Sequence, residues 1–174
     1  MINMRRNGIS WVIGGPQGSG VDTAASIFAK ACALGNLHIF GKREYHSNIK
    51  GEHSYFTILV SNNHVRAHVD AIDVLAVFDA ETLFRHAPYV SSNGIIVYDE
   101  SILGHSIDSI PTIDSTSRSR SIELLEHHTL GRDVDDMLKA MAMNGVKTYG
   151  IPCSKILEDI AKKRNEPSLS KLTR

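Results

Sequence analysis

Gly14-Gly15-Pro16-Gln17-Gly18-Ser19-Gly20 constrains this chain more than any other segment. It puts four glycines between an apolar run, Ile9-Ser10-Trp11-Val12-Ile13, and a stretch of helical periodicity from Val21 to Leu34. The apolar run reads as a short buried strand. In the helical stretch Val21, Ala24, Ala25, Phe28 and Cys32 mark one face, and Asp22, Ser26 and Lys30 mark the other. Glycines at such a junction have two roles open to them. They can turn backbone N–H groups toward an anion at the helix N-terminus, where free donors and the positive dipole end lie. Or they can simply let helix and strand pack closely.

The spacing rules out the two commonest phosphate loops. Gly15 and Gly20 match the glycines of G-x-x-x-x-G-K-[ST], but Val21 and Asp22 occupy the lysine and hydroxyl places. A dinucleotide fingerprint needs G-x-G-x-x-G, and here the order is reversed as Gly15-x-x-Gly18-x-Gly20. Phe40-Gly41-Lys42 stands where an NAD enzyme would carry an acidic ribose partner.

Further along, Leu37–Phe40 reads as a second strand, parallel to the first if the helix crosses over. Gly41 to Gly51 reads as a polar, irregular loop carrying Lys42, Arg43, Tyr45, His46, Ser47, Asn48 and Lys50. Ser54–Ser61 reads as a strand, with His64–Val69 returning as a short hairpin strand after the Asn62-Asn63 turn. Val74–Phe78 and Ile95–Tyr98 have the apolar continuity of central parallel strands. Ala80–His86 and Val134–Met143 read as helices, the second ended by Asn144-Gly145. Val146–Ile151 reads as a strand and Ser154–Arg164 as a helix with Ile156, Leu157, Ile160 and Ala161 inward. The Ser- and Thr-rich stretch from Ile110 to Arg120 gives no clear periodicity. Alternating strands and helices predict an α/β domain: three layers, α/β/α, Rossmann-like, with a mostly parallel sheet and an antiparallel hairpin strand. Ligands of such sheets favour the carboxyl ends of the strands.

Composition narrows the partners. The chain has 174 residues, enough for one domain with a full core. Nineteen basic and 19 acidic residues give zero net charge, which argues against a general nucleic-acid binder. No run approaches the roughly 20 apolar residues of a membrane span. Two distant cysteines, Cys32 and Cys153, cannot supply the four thiolates of a cubane iron–sulfur cluster. Few cysteines and a polar start without an apolar signal core predict a cytoplasmic setting. No histidine spacing matches a common metal motif, so no metal site is expected. The adjacent His127 and His128 would diverge on a helix. Asp79 and Asp99 end strands at the ligand edge, where capping roles are commoner than acid–base ones.

Taken together, Trp11-Val12-Ile13-Gly14-Gly15-Pro16-Gln17-Gly18-Ser19-Gly20-Val21 resembles the opening of the gamma domain of 2-oxoacid:ferredoxin oxidoreductases, the pyruvate and 2-oxoglutarate family. That family shows a strand, then G-G-x-G-Q-G or a close variant, then an Ala-rich helix. The segment from Gly41 to Gly51 resembles the family's next stretch, with Lys50-Gly51-Glu52 in place of an R-G-G-like turn before a strand ending at Ser61. Asp73–Asp79 and Gly94–Asp99 are similar to the later strands. The resemblance is closest to archaeal enzymes in which this domain begins a fused gamma–alpha subunit.

The resemblance implies a single gamma domain over residues 1–174, either a split gamma subunit or a truncated product that lacks the C-terminal helix relatives carry. It implies an enzyme that oxidatively decarboxylates a 2-oxoacid, forms acyl-CoA and reduces ferredoxin. Thiamine diphosphate, Mg²⁺ and iron–sulfur clusters would reside in partner subunits, none of them in this chain alone. The expected partners are the alpha and beta parts, with ferredoxin reached through the complex, and the domain would not be catalytic alone. Within it, Gly15, Gln17, Gly18 and Ser19 are candidates to cradle a CoA phosphate, with Lys42, Arg43, Ser47 and Lys50 adding contacts. The same residues could instead form a docking surface. The alternative function is a free-standing nucleotide- or phosphate-binding module. An isolated gamma domain would expose its partner surface, so self-association as a homo-oligomer is also expected.

Overall fold

The computed structural model describes residues 8–45 and 53–164. A six-stranded sheet carries helices on both faces. Strand β1 (Gly8–Pro16) runs into the glycine loop and helix α1 (Val21–Leu34). Strands β2 (His38–Tyr45) and β3 (His53–Ser61) come next, then β4 (Ile72–Val77), α2 (Ala80–His86) and β5 (Val90–Asp99). The last described elements are α3 (Ser115–His127), α4 (Val134–Met143), β6 (Lys147–Ile151) and α5 (Cys153–Arg164). The spatial order is β2-β3-β1-β4-β5-β6.

Pairing β1–β4–β5–β6 is parallel throughout, whereas β3 is antiparallel to both β1 and β2. Strand β2 therefore points the same way as β1, as the crossover reading required, but β3 lies between them. This corrects the expected hairpin. Strand β3 pairs antiparallel with β2 on one side and β1 on the other, and residues 62–70 form no strand, because both edges of β3 are already taken.

It also corrects the expected loop. Residues 41–45 continue β2 and pair with residues 54–58 of β3. Ser47 and Lys50, together with His46 and the Lys50-Gly51-Glu52 turn, lie outside the described residues.

Strand alternation sorts the core into two clusters. On one face Val12, Leu75, Val77 and Ile96 pack with Leu83 and Phe84 of α2, Leu125 of α3, and Val134, Met137 and Met141 of α4. On the other, Ile13, Ile58 and Val60 meet Val21 and Ala25 of α1, with Trp11, Phe28 and Cys32 partly buried around them. The predicted apolar face of α1 is thus the packed one.

Helix α3 escaped periodicity because only Ser121 and Leu125 are buried. It is fixed instead at its start. Asp114 accepts from the Thr116 and Ser117 N–H groups at 3.0 and 2.9 Å, and Arg118 donates to the Ile110 carbonyl at 2.6 Å. Helix α5 buries Ala161, while Ile156 and Ile160 stay 45% and 38% exposed, contrary to the inward placement expected for them. At the end of α1 the left-handed residue is Asn36, φ 60°, and Gly35 keeps φ −77°. Among the described residues no helix is long and apolar enough to cross a membrane.

Candidate functional site

The glycine loop sits at the carboxyl ends of the parallel strands, and its glycines divide into two kinds. Gly14 and Gly15 still belong to β1 and are buried. A Cβ on Gly14 would lie 2.7 Å from Thr82 Cγ2 of α2. A Cβ on Gly15 would lie 2.7 Å from Phe78 Cβ and 3.4 Å from Val21 Cγ2. Consecutive strand residues face opposite sides, so each glycine lets one face of the sheet close. These two are explained by packing. Gly18 and Gly20 are exposed and hold φ 94°, which glycine adopts without strain. The turn from Pro16 to Ser19, which holds Gly18, is closed by the Ser19 N–H donating to the Pro16 carbonyl at 3.0 Å.

Gly20 is the N-cap of α1 and brings no side chain to the helix end. The first helical bond is from Ala24 N–H to the Gly20 carbonyl. The earlier N–H groups of the turn are thus left for a ligand or solvent, beside exposed Gly18 and Ser19. Gln17 is half-buried next to them, and among the described residues its Oε1 accepts no hydrogen bond.

Lys42 and Arg43 are adjacent on β2 and therefore separate. Arg43 reaches α1, where its guanidinium pairs with Asp22 Oδ2 at 2.5 Å in the first helical turn. The loop and Arg43 are brought together. Lys42 turns to the other face and pairs with Glu44, whose Oε2 also accepts from the Tyr55 hydroxyl at 2.9 Å. Those two bonds, Lys42 first, hold the Glu44 carboxyl below its usual range. Burial, then the bond to Glu44, pushes the Tyr55 phenol well above its usual value.

Lys42, Glu44 and Tyr55 line a cavity of about 560 Å³ that also takes in Arg85, His86 and Arg120. None of the glycine-loop residues lines it. A second cavity of about 350 Å³ lies at the loop's own edge, lined by Pro16, Asp79, Glu81, Ser101, His105 and Thr112 among others.

Asp79 caps α2: its Oδ1 accepts from the Thr82 N–H at 2.8 Å and the Thr82 hydroxyl at 2.6 Å. Burial raises its carboxyl above the ordinary value, against the pull of those bonds. Asp99 caps the 3-10 turn Glu100–Ile102 through the Ser101 N–H at 3.0 Å. The capping role expected of both aspartates holds. Burial, and then Asp99, pushes the Cys153 thiol up, the wrong direction for a nucleophilic thiolate.

The family model for pyruvate ferredoxin/flavodoxin oxidoreductase matches residues 10–169, from the strand before the loop to beyond α5. The chain belongs to this family. Among curated relatives, the alpha subunit of 2-oxoacid:ferredoxin oxidoreductase 1 from Sulfurisphaera tokodaii is 36% identical over 159 residues, covering 91% of this chain and 25% of that subunit. The corresponding alpha subunit from Saccharolobus solfataricus is 36% identical over 154 residues, covering 88% and 24%. The chain thus spans about a quarter of the length of the curated relatives it matches. In fold it is similar to 2-oxoglutarate:ferredoxin oxidoreductase from Magnetococcus marinus, solved with 2-oxoglutarate, coenzyme A and succinyl-CoA bound. There the TM-score is 0.53 at 17% identity, over 97% of this chain and 29% of that one.

In this oxidoreductase-family chain one group of residues went unseen in the sequence. His53, Asp79 and Glu81 each bring a ligand atom within 4.8 Å of the others. They come from the start of β3, the N-cap of α2 and its first turn, so no short motif connects them. The only signal was that β3 begins, and β4 ends, at the same sheet edge. His127 and His128 were expected to diverge. Because α3 ends at His127, their rings instead meet edge to face at 5.1 Å.

Proposed function

We propose that this chain is the gamma domain of a CoA-acylating 2-oxoacid:ferredoxin oxidoreductase, which oxidatively decarboxylates a 2-oxoacid and reduces ferredoxin. The observation that carries the proposal is the 36% identity to 2-oxoacid:ferredoxin oxidoreductase alpha subunits along nine-tenths of this chain. In this reading the domain is a structural part that docks on the alpha and beta parts and contacts CoA at the glycine loop. It acts in the cytoplasm, where its two free cysteines suit a reducing environment.

The loop's geometry supports the CoA contact. Exposed Gly18 and Ser19 flank the uncapped start of α1, whose first-turn N–H groups are open, Gln17 carries an amide NH2 beside them, and Arg43 reaches the same turn through Asp22. A phosphate there would meet helix-end donors and a guanidinium. Gly15 contributes by letting the loop close on Phe78. Ser47 and Lys50 are proposed as further contacts from the segment after β2. Lys42 is better assigned to the opposite face, with Glu44. The thiamine diphosphate, Mg²⁺ and iron–sulfur clusters fall to the partners. Cys32 and Cys153, on α1 and α5, do not make a cluster site.

The test is co-purification of the chain from its native cells. It is expected to elute with polypeptides carrying thiamine diphosphate and iron–sulfur clusters, and with 2-oxoacid- and CoA-dependent ferredoxin reduction. Elution without them would overturn the proposal. The open start of α1 also fits the second reading, a free-standing phosphate binder. Calorimetry of the chain alone would favour that reading if ATP and CoA bound equally well.

A further inference from the structure

The carboxylates and imidazole buried behind the glycine loop have a composition that packing alone does not call for. His53 is 2% exposed and Glu81 3% exposed, and Asp79 and Glu81 both line the second cavity. These three residues bring one nitrogen and two oxygen ligands together from separate elements, all within 4.8 Å.

Each carboxylate is oriented by a neighbour. Thr82 places both its bonds on Asp79 Oδ1, leaving Oδ2 for another partner. Thr112 donates to Glu81 Oε2, and Arg85 Nε holds Oε1 at 2.7 Å. Such supporting bonds hold metal ligands in place. The charge balance points the same way. Two carboxylates share the cluster, and Arg85 is the one fixed cation paired to it among the described residues. Among the described residues, the groups facing it include His86, whose Nε2 is 3.4 Å from His53 Nε2, Tyr55, whose ring lies 5.6 Å from that of His53, and His105, which lines the same cavity as the two carboxylates. None of these three carries a permanent positive charge.

We infer that His53, Asp79 and Glu81 form a binding site for a divalent transition-metal cation, with the 350 Å³ cavity at the loop edge as its entry path. Mixed imidazole and carboxylate donors suit zinc and its neighbours rather than calcium. Ligand atoms around such an ion at about 2.1 Å stand roughly 3–3.5 Å apart, so the widest separation among the three closes by up to about 1.5 Å on binding. The site is internal to this chain and does not depend on the proposed function.

The test uses the full 174-residue chain, stripped with a chelator and then titrated with Zn²⁺ by calorimetry. One ion per chain is expected, with the thermal midpoint raised. His53→Gln, Asp79→Asn and Glu81→Gln should each weaken binding at least tenfold. His127→Ala, on an exposed histidine, should leave it unchanged. Crystals grown with Zn²⁺ give a readout that no variant's folding can obscure. They should show an anomalous peak bonded to His53, Asp79 and Glu81. No binding, affinity unchanged in the three variants, or anomalous peaks on surface histidines alone would overturn the inference.

Discussion

The two faces of the sheet are built to different standards. One is covered by α2, α3 and α4 and holds a continuous core of 20 buried residues among those described, from Val12 to Val146. The other is covered by α1, where the cluster among the described residues has five buried members, only Val21 and Ala25 of them on the helix, with Trp11, Phe28 and Cys32 only partly sealed. On the outer side of α1, Ile27 and Leu34 stay 64% and 90% exposed. The first face is where the fold's stability concentrates. The second places the loop, Asp22 and Arg43 together, and in the proposed function its residues serve contacts more than folding. The two adjacent glycines show the division in miniature: Gly14 makes room for α2, and Gly15 for Phe78 and the start of α1.

Substitutions can break or sharpen this contrast. The largest loss is expected for Phe84→Ala, which empties a fully buried ring site in the thick core. It should cost about 3–5 kcal/mol in urea unfolding. Next comes Gly14→Ala, whose methyl would collide with both Thr82 Cγ2 and Oγ1 at 2.7 and 2.8 Å. Overpacking of that kind should cost about 1–3 kcal/mol. Ile13→Val, in the thin layer under α1, should cost only about 1 kcal/mol by the same measurement. A loss matching that of Phe84→Ala would mean that the two faces are not so different.

Arg43→Ala removes a pair in which both partners are more than a third exposed, so it should change stability by less than about 1 kcal/mol. In the enzyme assembly proposed for this chain it should nonetheless raise the KM for CoA several-fold with kcat little altered. An unchanged KM would remove Arg43 from the CoA site. The smallest effect is expected for Glu44. Its folded carboxyl is held low by Lys42 and Tyr55, so its stabilisation is present above the ordinary glutamate range and is lost as pH falls through the folded value. Glu44→Gln should flatten the acid limb of the stability profile slightly and leave neutral pH nearly unchanged, as thermal melts across the acidic range up to neutrality would show.

Legibility tracked the range of the signal. Helices α1 and α4 were visible at their full extent because their apolar stripes are local, and α2 because Asp79 caps it next to a run of buried residues. Helix α3 was not, since its stability comes from Asp114 and Arg118 at its start rather than from an apolar stripe. The candidate site divided in the same way. Gly18, Ser19 and the start of α1 were readable as an exposed turn. That Arg43 joins them while Lys42 leaves was hidden, because it turns on whether residues 41–45 are loop or strand.

By itself the sequence determined the strand–glycine loop–helix unit, the apolar central strands and the family they announce. Those depend on neighbours a few residues apart. The tertiary structure alone decided that β3 inserts antiparallel between β2 and β1, and so which face each β2 side chain takes. It alone brought His53 against Asp79 and Glu81. A strand's hydrogen-bonding partner is chosen by the rest of the chain, and one residue of register or one exchanged neighbour redirects every side chain it carries.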